Sequence, residues 1–201
     1  MKKTFISISV VFLFTSVFLT ACVPKKETVK SPPVEQESTI PSDWKSYENK
    51  ENKLSFQYPG DWIFNVIRDD VDMLSIGLNK EDQEQGKVMV YEEMMPLYQI
   101  NVMVSSNSQN LTARQSRLNQ FSESSRAQEE ENLQTVNYDG VDGIKFPEGA
   151  APSSGPSIVV LLTKNNKFYN FTYSAMAHKE THEKFISDFN TLLSSIKFLN
   201  E

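Results

Sequence analysis

The segment Ile158-Val-Val-Leu-Leu-Thr-Lys164 constrains the fold most, because it is apolar on both of its faces. In an extended chain successive side chains point to opposite sides, so Ile158, Val160 and Leu162 line one face and Val159 and Leu161 the other. A strand of this kind belongs in the interior of a sheet that is covered on both sides. Asn165-Asn166 follows it, two residues that tolerate the positive φ values of a two-residue hairpin, and Lys167 to Ser174 supplies the returning arm. The amphipathic stretch Phe185, Ile186, Phe189, Leu192, Leu193 and Ile196 recurs at helical spacing and is one of the covers the sheet requires. Ile196 to Leu199 then leaves the helix as an extended tail.

The remaining pattern from Trp44 onward is that of an α+β domain: an antiparallel β-sheet sandwiched by helices. Leu54 to Tyr58 and Trp62 to Ile67 read as two strands joined through Pro59-Gly60-Asp61 in a hairpin. Met73 to Leu78 and Gln99 to Val104 read as further strands. Thr112 and Gln115 have capping-box spacing, and with Leu118 and Phe121 they predict one helix from Thr112 to about Gln128. Gln134 to Tyr138 and Gly143 to Phe146 are strands around Asp139-Gly140, and Pro147 to Pro156 is rich enough in Gly, Ala, Ser and Pro to read as a long loop. Tyr58, Pro59 and Trp62 read as a turn and a core plug rather than a binding site.

The first residues carry an address. Lys2 and Lys3 precede a nearly uncharged apolar run from Phe5 to Leu19, which is shorter than the roughly 20 residues of a membrane-spanning helix. The run closes on Leu19-Thr20-Ala21-Cys22, which resembles the bacterial lipobox, and Cys22 is the single cysteine of the 201 residues. The expectation is a signal peptide over 1–21, lipidation of Cys22, and a mature protein held at a membrane by its acyl chains. It would then sit on the extracytoplasmic face of the cell membrane or the periplasmic face of an outer membrane. Residues 22–42, with Pro24, Pro32, Pro33 and Pro41 among Lys, Glu and Ser, read as a flexible tether, and 43–201 as one domain. With one cysteine the chain has no internal disulfide, so the core alone must hold the fold.

Charge argues against nucleic acid as a partner. The chain has 20 basic and 26 acidic residues, and losing Lys2 and Lys3 with the leader leaves a net charge of about −8. No Gly-x-Ser-x-Gly, no cysteine with a partner histidine and no glycine-rich phosphate loop occurs, so no catalytic residue is assigned, the chain reads as a non-enzyme, and no cofactor is called for. His178 and His182 stand four apart, but in His178-Lys179-Glu180-Thr181-His182 the glutamate falls one place late for a zinc-protease motif. Asp69, Asp70 and Asp72 crowd one turn without the spacing of a calcium loop, as do Asp139 and Asp142 elsewhere. A calcium-type or small-ligand binding module built from these residues, or from the Pro147 to Pro156 loop, is the alternative to a protein-docking role.

The order of several segments resembles the PsbP family, the extrinsic proteins of photosystem II and related bacterial lipoproteins. The matching segments are Tyr47-Glu-Asn, then Leu54-Ser-Phe-Gln-Tyr-Pro-Gly-Asp-Trp62, then Val141-Asp-Gly143. Lys167-Phe-Tyr-Asn-Phe-Thr-Tyr-Ser-Ala175, the amphipathic helix and Leu193-Ser-Ser-Ile-Lys-Phe198 complete the series. The resemblance implies an α/β/α sandwich with a non-enzymatic role, docking on a membrane protein complex. In a photosynthetic host it implies a photosystem II-associated assembly or oxygen-evolution factor.

Overall fold

The computed structural model describes residues 40–70, 73–79, 87–90, 93–96, 98–148, 157–175 and 182–200. The doubly apolar strand is β10 (Ser157–Lys164), and it pairs antiparallel with β9 (Val141–Glu148) on one side and β11 (Lys167–Ala175) on the other. Asn165 and Asn166 join β10 to β11 with φ of 51° and 58°, the two positive values that let a two-residue turn follow the sheet's twist. Beyond β11 come β7 (Tyr98–Ser106), β4 (Met73–Asn79) and the edge strand β3 (Ile63–Asp69); beyond β9 comes the other edge, β8 (Gln134–Tyr138). The result is a seven-stranded antiparallel sheet in the order β3-β4-β7-β11-β10-β9-β8. Residues between β4 and β7 include a separate antiparallel pair, β5 (Lys87–Val90) with β6 (Glu93–Pro96).

Strand parity divides the core in two. On one face Val160 and Leu162, with Phe171 and Tyr173 of β11 and Val102 of β7, pack beneath α3 (His182–Ser194), which contributes Phe189, Leu192 and Leu193. On the opposite face Val159 and Leu161 join Ile144 and Phe146 of β9 under α1 (Ala113–Leu118), with Leu133 closing the cluster. Both covers required by the sequence of β10 are therefore present. Aromatic rings fill the larger layer: Tyr173 stacks on Phe189 and Tyr98 on Phe185.

Three expectations are corrected. Leu54–Tyr58 (β2) and β3 do not form a hairpin: β2 pairs with β1 (Lys45–Asn49) and with β12 (Lys197–Phe198) in a separate three-stranded sheet, while β3 pairs with β4. The chain changes sheets through Pro59-Gly60-Asp61-Trp62, and buried Trp62, packed edge-on to Phe185, anchors the crossing. Gly60 is required there by close approach, since a Cβ would lie 2.1 Å from the Asp43 carbonyl oxygen. The single helix expected over Thr112 to Gln128 is two, α1 and α2 (Glu123–Asn132), because Ser122 opens a second helix after Asn119 ends the first. The break brings Glu129 to Arg117 at 2.7 Å, and the Arg117 guanidinium lies over the rings of Phe121 and Phe146. Pro147 and Glu148 belong to strand β9 rather than to the loop, whose residues 149–156 lie outside the described residues.

The C-terminal tail is extended as expected, and it also has a pairing partner. Lys197 and Phe198 pair with Ser55 and Leu54, and where the pairing stops the Ser195 hydroxyl accepts the Gln57 amide at 2.8 Å and donates to the Leu192 carbonyl at 2.7 Å. Tyr169 is fully buried between the layers and donates to the Asn52 carbonyl at 3.0 Å, and burial pushes its phenol up to about 12.

Truncating Phe171, which is fully buried in the larger layer, to alanine is expected to cost about 3–5 kcal/mol. Urea unfolding followed by circular dichroism measures it. A loss below about 1 kcal/mol would contradict the layer assignment.

Candidate functional site

Of the residues singled out from the sequence, Cys22, Asp72 and His178 lie outside the described residues, and His182 is the first residue of α3 with its side chain likewise outside them. Asp69 and Asp70 close the end of β3, where both are engaged. Asp70 accepts the Met73 amide at 2.9 Å and pairs with Arg68, and Asp69 accepts from the Asn49 amide group at 3.4 Å. Asp70 thus holds the turn, and Asp69 ties the end of β3 to the end of β1. Asp139 and Asp142 do not converge either: Asp142 accepts from Asn137 at 2.7 Å, while Asp139 holds the C-terminal strand. Among the described residues no group of three or more His, Cys, Asp or Glu side chains is placed to hold a metal ion.

Asp139 is the best-connected carboxylate at this end of the sheet. It opens the β8–β9 turn at φ 50°, followed by Gly140 at 76°. One oxygen accepts the Phe198 amide at 2.8 Å and the other the Lys197 ammonium at 3.1 Å. Burial pushes its pKa upward, but the Phe198 hydrogen bond, Lys197 and the charge of Lys164 together outweigh this and hold it below its ordinary value. A turn residue thereby fastens β12 across the two sheets.

The β9–β10 ladder ends at Gly143 opposite Leu162, although β9 begins at Val141 and β10 runs on to Lys164. Gly143 is a position of close approach, since a Cβ there would sit 2.3 Å from the Leu161 carbonyl oxygen. The two flanking turns fix the hydrogen-bonding phase, because residues bracketing a two-residue hairpin form a hydrogen-bonded pair. Val141 therefore turns its main-chain groups toward β8, and Lys164 turns its groups toward β11. Asp142 and Thr163 therefore face each other at the end of the β9–β10 ladder, whose last pair is Leu162 with Gly143.

A cleft of about 550 Å³ lies beside this ladder end, lined by Thr112 and Arg114 at the start of α1, Thr135 on β8, Asp142 on β9 and Thr163 and Lys164 on β10. The capping box expected at Thr112 is formed: its hydroxyl accepts the Gln115 amide at 3.2 Å, and its own amide donates to the Gln115 side chain at 3.0 Å. Arg114 pairs with Glu130 and donates to the Thr135 hydroxyl at 3.3 Å. The Lys164 ammonium stands 5.0 Å from the centre of the Phe198 ring, with no carboxylate ion pair among the described residues. Sequence reading missed this group of residues. Its only linear signal is the pair of turns, Asp139-Gly140 and Asn165-Asn166, whose phases leave residues 142 and 163 facing one another.

The fold defines an antiparallel sheet layered between helices, and this is the class of domain to which the chain can be assigned. No family model matches the chain, and no curated protein matches it. Among solved structures, a crystal structure from Bacteroides thetaiotaomicron VPI-5482 aligns with 79% of this chain at 12% identity and a TM-score of 0.49, and the chain spans 50% of that protein. The solution structure of cyanobacterial PsbP (CyanoP) from Synechocystis sp. PCC 6803 aligns with 80% of this chain and 95% of its own, at 14% identity and a TM-score of 0.51. The folded region has a PsbP-like α+β fold.

The Asp139 clamp predicts a pH dependence. A carboxylate whose folded-state pKa is depressed contributes stability that is complete above the unfolded carboxylate range and is lost as pH falls through the folded value. Thermal melts of the native protein should lose stability as pH falls below about 4, and Asp139→Asn should flatten part of that slope. Identical slopes for the two proteins would show that the clamp is energetically silent.

Proposed function

We propose that the chain is a lipid-anchored, extracytoplasmic binding or scaffold protein without enzymatic activity, which docks on a membrane protein complex. The observation that carries this reading is the apolar run closing on Leu19-Thr20-Ala21-Cys22, with the single cysteine where lipid attachment would occur. A tether of 20 residues after it would reach about 70 Å when fully extended and roughly 25 Å on average as a flexible coil. That span lets the domain meet the protruding parts of a membrane complex while the acyl chains keep it at the surface. The PsbP-like fold supports a docking role by analogy, and fold alone does not fix function. Among the described residues no helix is long and apolar enough to cross a membrane, so attachment in this reading rests on the lipid.

Mass spectrometry of the native N-terminus is expected to find a mature chain starting at Cys22 with a diacylglycerol thioether. Cys22→Ser is expected to move most of the protein out of the membrane fraction. An unmodified cysteine, or a variant that stays with the membrane, would overturn the anchor. Crosslinking in intact cells is expected to recover a reproducible membrane protein partner, and recovery of the monomer alone would count against docking.

A further inference from the structure

The free edge of β3 has a fixed hydrogen-bonding phase. Asp70 and Met73 exchange main-chain hydrogen bonds at 3.0 and 3.3 Å where β3 and β4 meet, and β4 runs without a bulge against β7. Met73, Ser75, Gly77 and Asn79 therefore all direct their main-chain groups at β3. Asn65 lies opposite Gly77 and Ile63 opposite Asn79, so these two answer β4, and Phe64 and Val66 turn their N–H and C=O groups outward. β3 is the last strand of the sheet, and no main-chain partner among the described residues meets those outward groups. The side chains are equally uncovered. Val66, opposite Ile76 on the α3 face, is 49% exposed, and Ile67, which reaches over Gly77 on the other face, is 65% exposed. Beyond them the register shift at Ile67 and the charges of Arg68, Asp69 and Asp70 guard the edge, the usual devices against strand addition. The stretch Ile63 to Val66 has neither.

We infer that this edge pairs with the same edge of a second copy of the chain, antiparallel about a two-fold axis at Asn65. In that register Phe64 of each copy stands opposite Val66 of the other. Both residues have outward groups, so each of these pairs closes two main-chain hydrogen bonds. An axis at Phe64 or at Val66 closes only one such pair, because Trp62 gives its amide to the Pro59 carbonyl and Arg68 faces β4. The side chains agree with the register. Phe64 covers Val66 on the α3 face, Ile63 comes beside Ile67 on the other, and Asn65 meets the same amide of the second copy, which both donates and accepts. Ile63 to Ile67 is uncharged in a chain that is 23% charged, so two acidic molecules meet here without opposing like charges. The other edge strand, β8, exposes no large apolar side chain. A two-fold axis normal to the joined sheet also keeps the α3 faces of both copies on one side. β1, the first strand after the tether, lies on that face, its Tyr47 ring 5.0 Å from that of Phe64. Both tethers thus start from the same side, as the proposed anchoring of two lipids in one bilayer requires, and confinement to that surface raises the concentration at which copies meet.

Disulfide capture at the axis tests the pairing. Residues that face each other in a non-hydrogen-bonded antiparallel pair stand about 4.5 Å apart at Cα, within disulfide reach. Asn65→Cys, made in the full chain and oxidised mildly in intact cells, is expected to give a covalent dimer on non-reducing gels. The native chain and Gln134→Cys, exposed on the β8 edge, are expected to stay monomeric. Adding Val66→Pro to Asn65→Cys removes only an outward amide, a change that an edge strand tolerates. By symmetry it deletes two of the main-chain bonds between the copies and should lower the dimer at least about fivefold. Thermal melts of the purified variants check that each is folded. The inference is overturned if Asn65→Cys gives no more dimer than Gln134→Cys, the result expected if a strand of another protein occupied this edge, or if Val66→Pro leaves the dimer unchanged. Cys22 is common to every variant and no docking partner enters the comparison, so the pairing and the docking role fail separately.

Discussion

The architecture depends on the burial of β10 from both sides. A strand with Val160 and Leu162 on one face and Val159 and Leu161 on the other is a poor edge strand and a poor member of a half-solvated sheet. Its stable place is between two neighbours and two covers. Its neighbours β9 and β11 are supplied in cis by adjacent sequence, so the centre of the sheet forms from local pairings with low loop-closure cost. The covers come from farther away, α3 closing one face and α1 the other. Val159 to Leu162 is the longest run of consecutive buried apolar side chains among the described residues, each worth about 1.5–3 kcal/mol.

What the sequence made legible follows the range of the interaction. The Asn165-Asn166 and Asp139-Gly140 hairpins were readable because positive φ at consecutive positions is a local demand that few residues meet. The Thr112 cap was readable for the same reason. The strand β2 was legible as a strand but not in its pairing: its partners β1 and β12 lie at opposite ends of the domain, and no local pattern announces a two-residue strand at Lys197–Phe198. The split between α1 and α2 was missed because polar residues continue through it. The fold-defining contact there, Arg117 against Glu129 and two aromatic rings, requires the chain to turn back.

The candidate sites divide in the same way. Acidic clusters attract attention in a sequence, yet Asp70 and Asp139 accept from main-chain amides and pair with nearby cations, and Asp69 accepts from the Asn49 side chain, so all three serve as fasteners. The cleft is lined instead by threonines, two cations and Asp142, brought together by three strands and the start of a helix. It lies where two hairpins of fixed phase end side by side. Turns that were legible singly therefore made a site that was legible only from their relation.

Native-state hydrogen exchange tests the central constraint most directly. If burial of β10 on both faces organises the domain, the amides from Val159 to Leu162 exchange slowest, with protection close to the global unfolding free energy, and those of β11 lie near them. The edge strand β3, where Val66 and Ile67 are 49% and 65% exposed, exchanges far sooner. Protection in β10 no greater than in β3 would contradict the account.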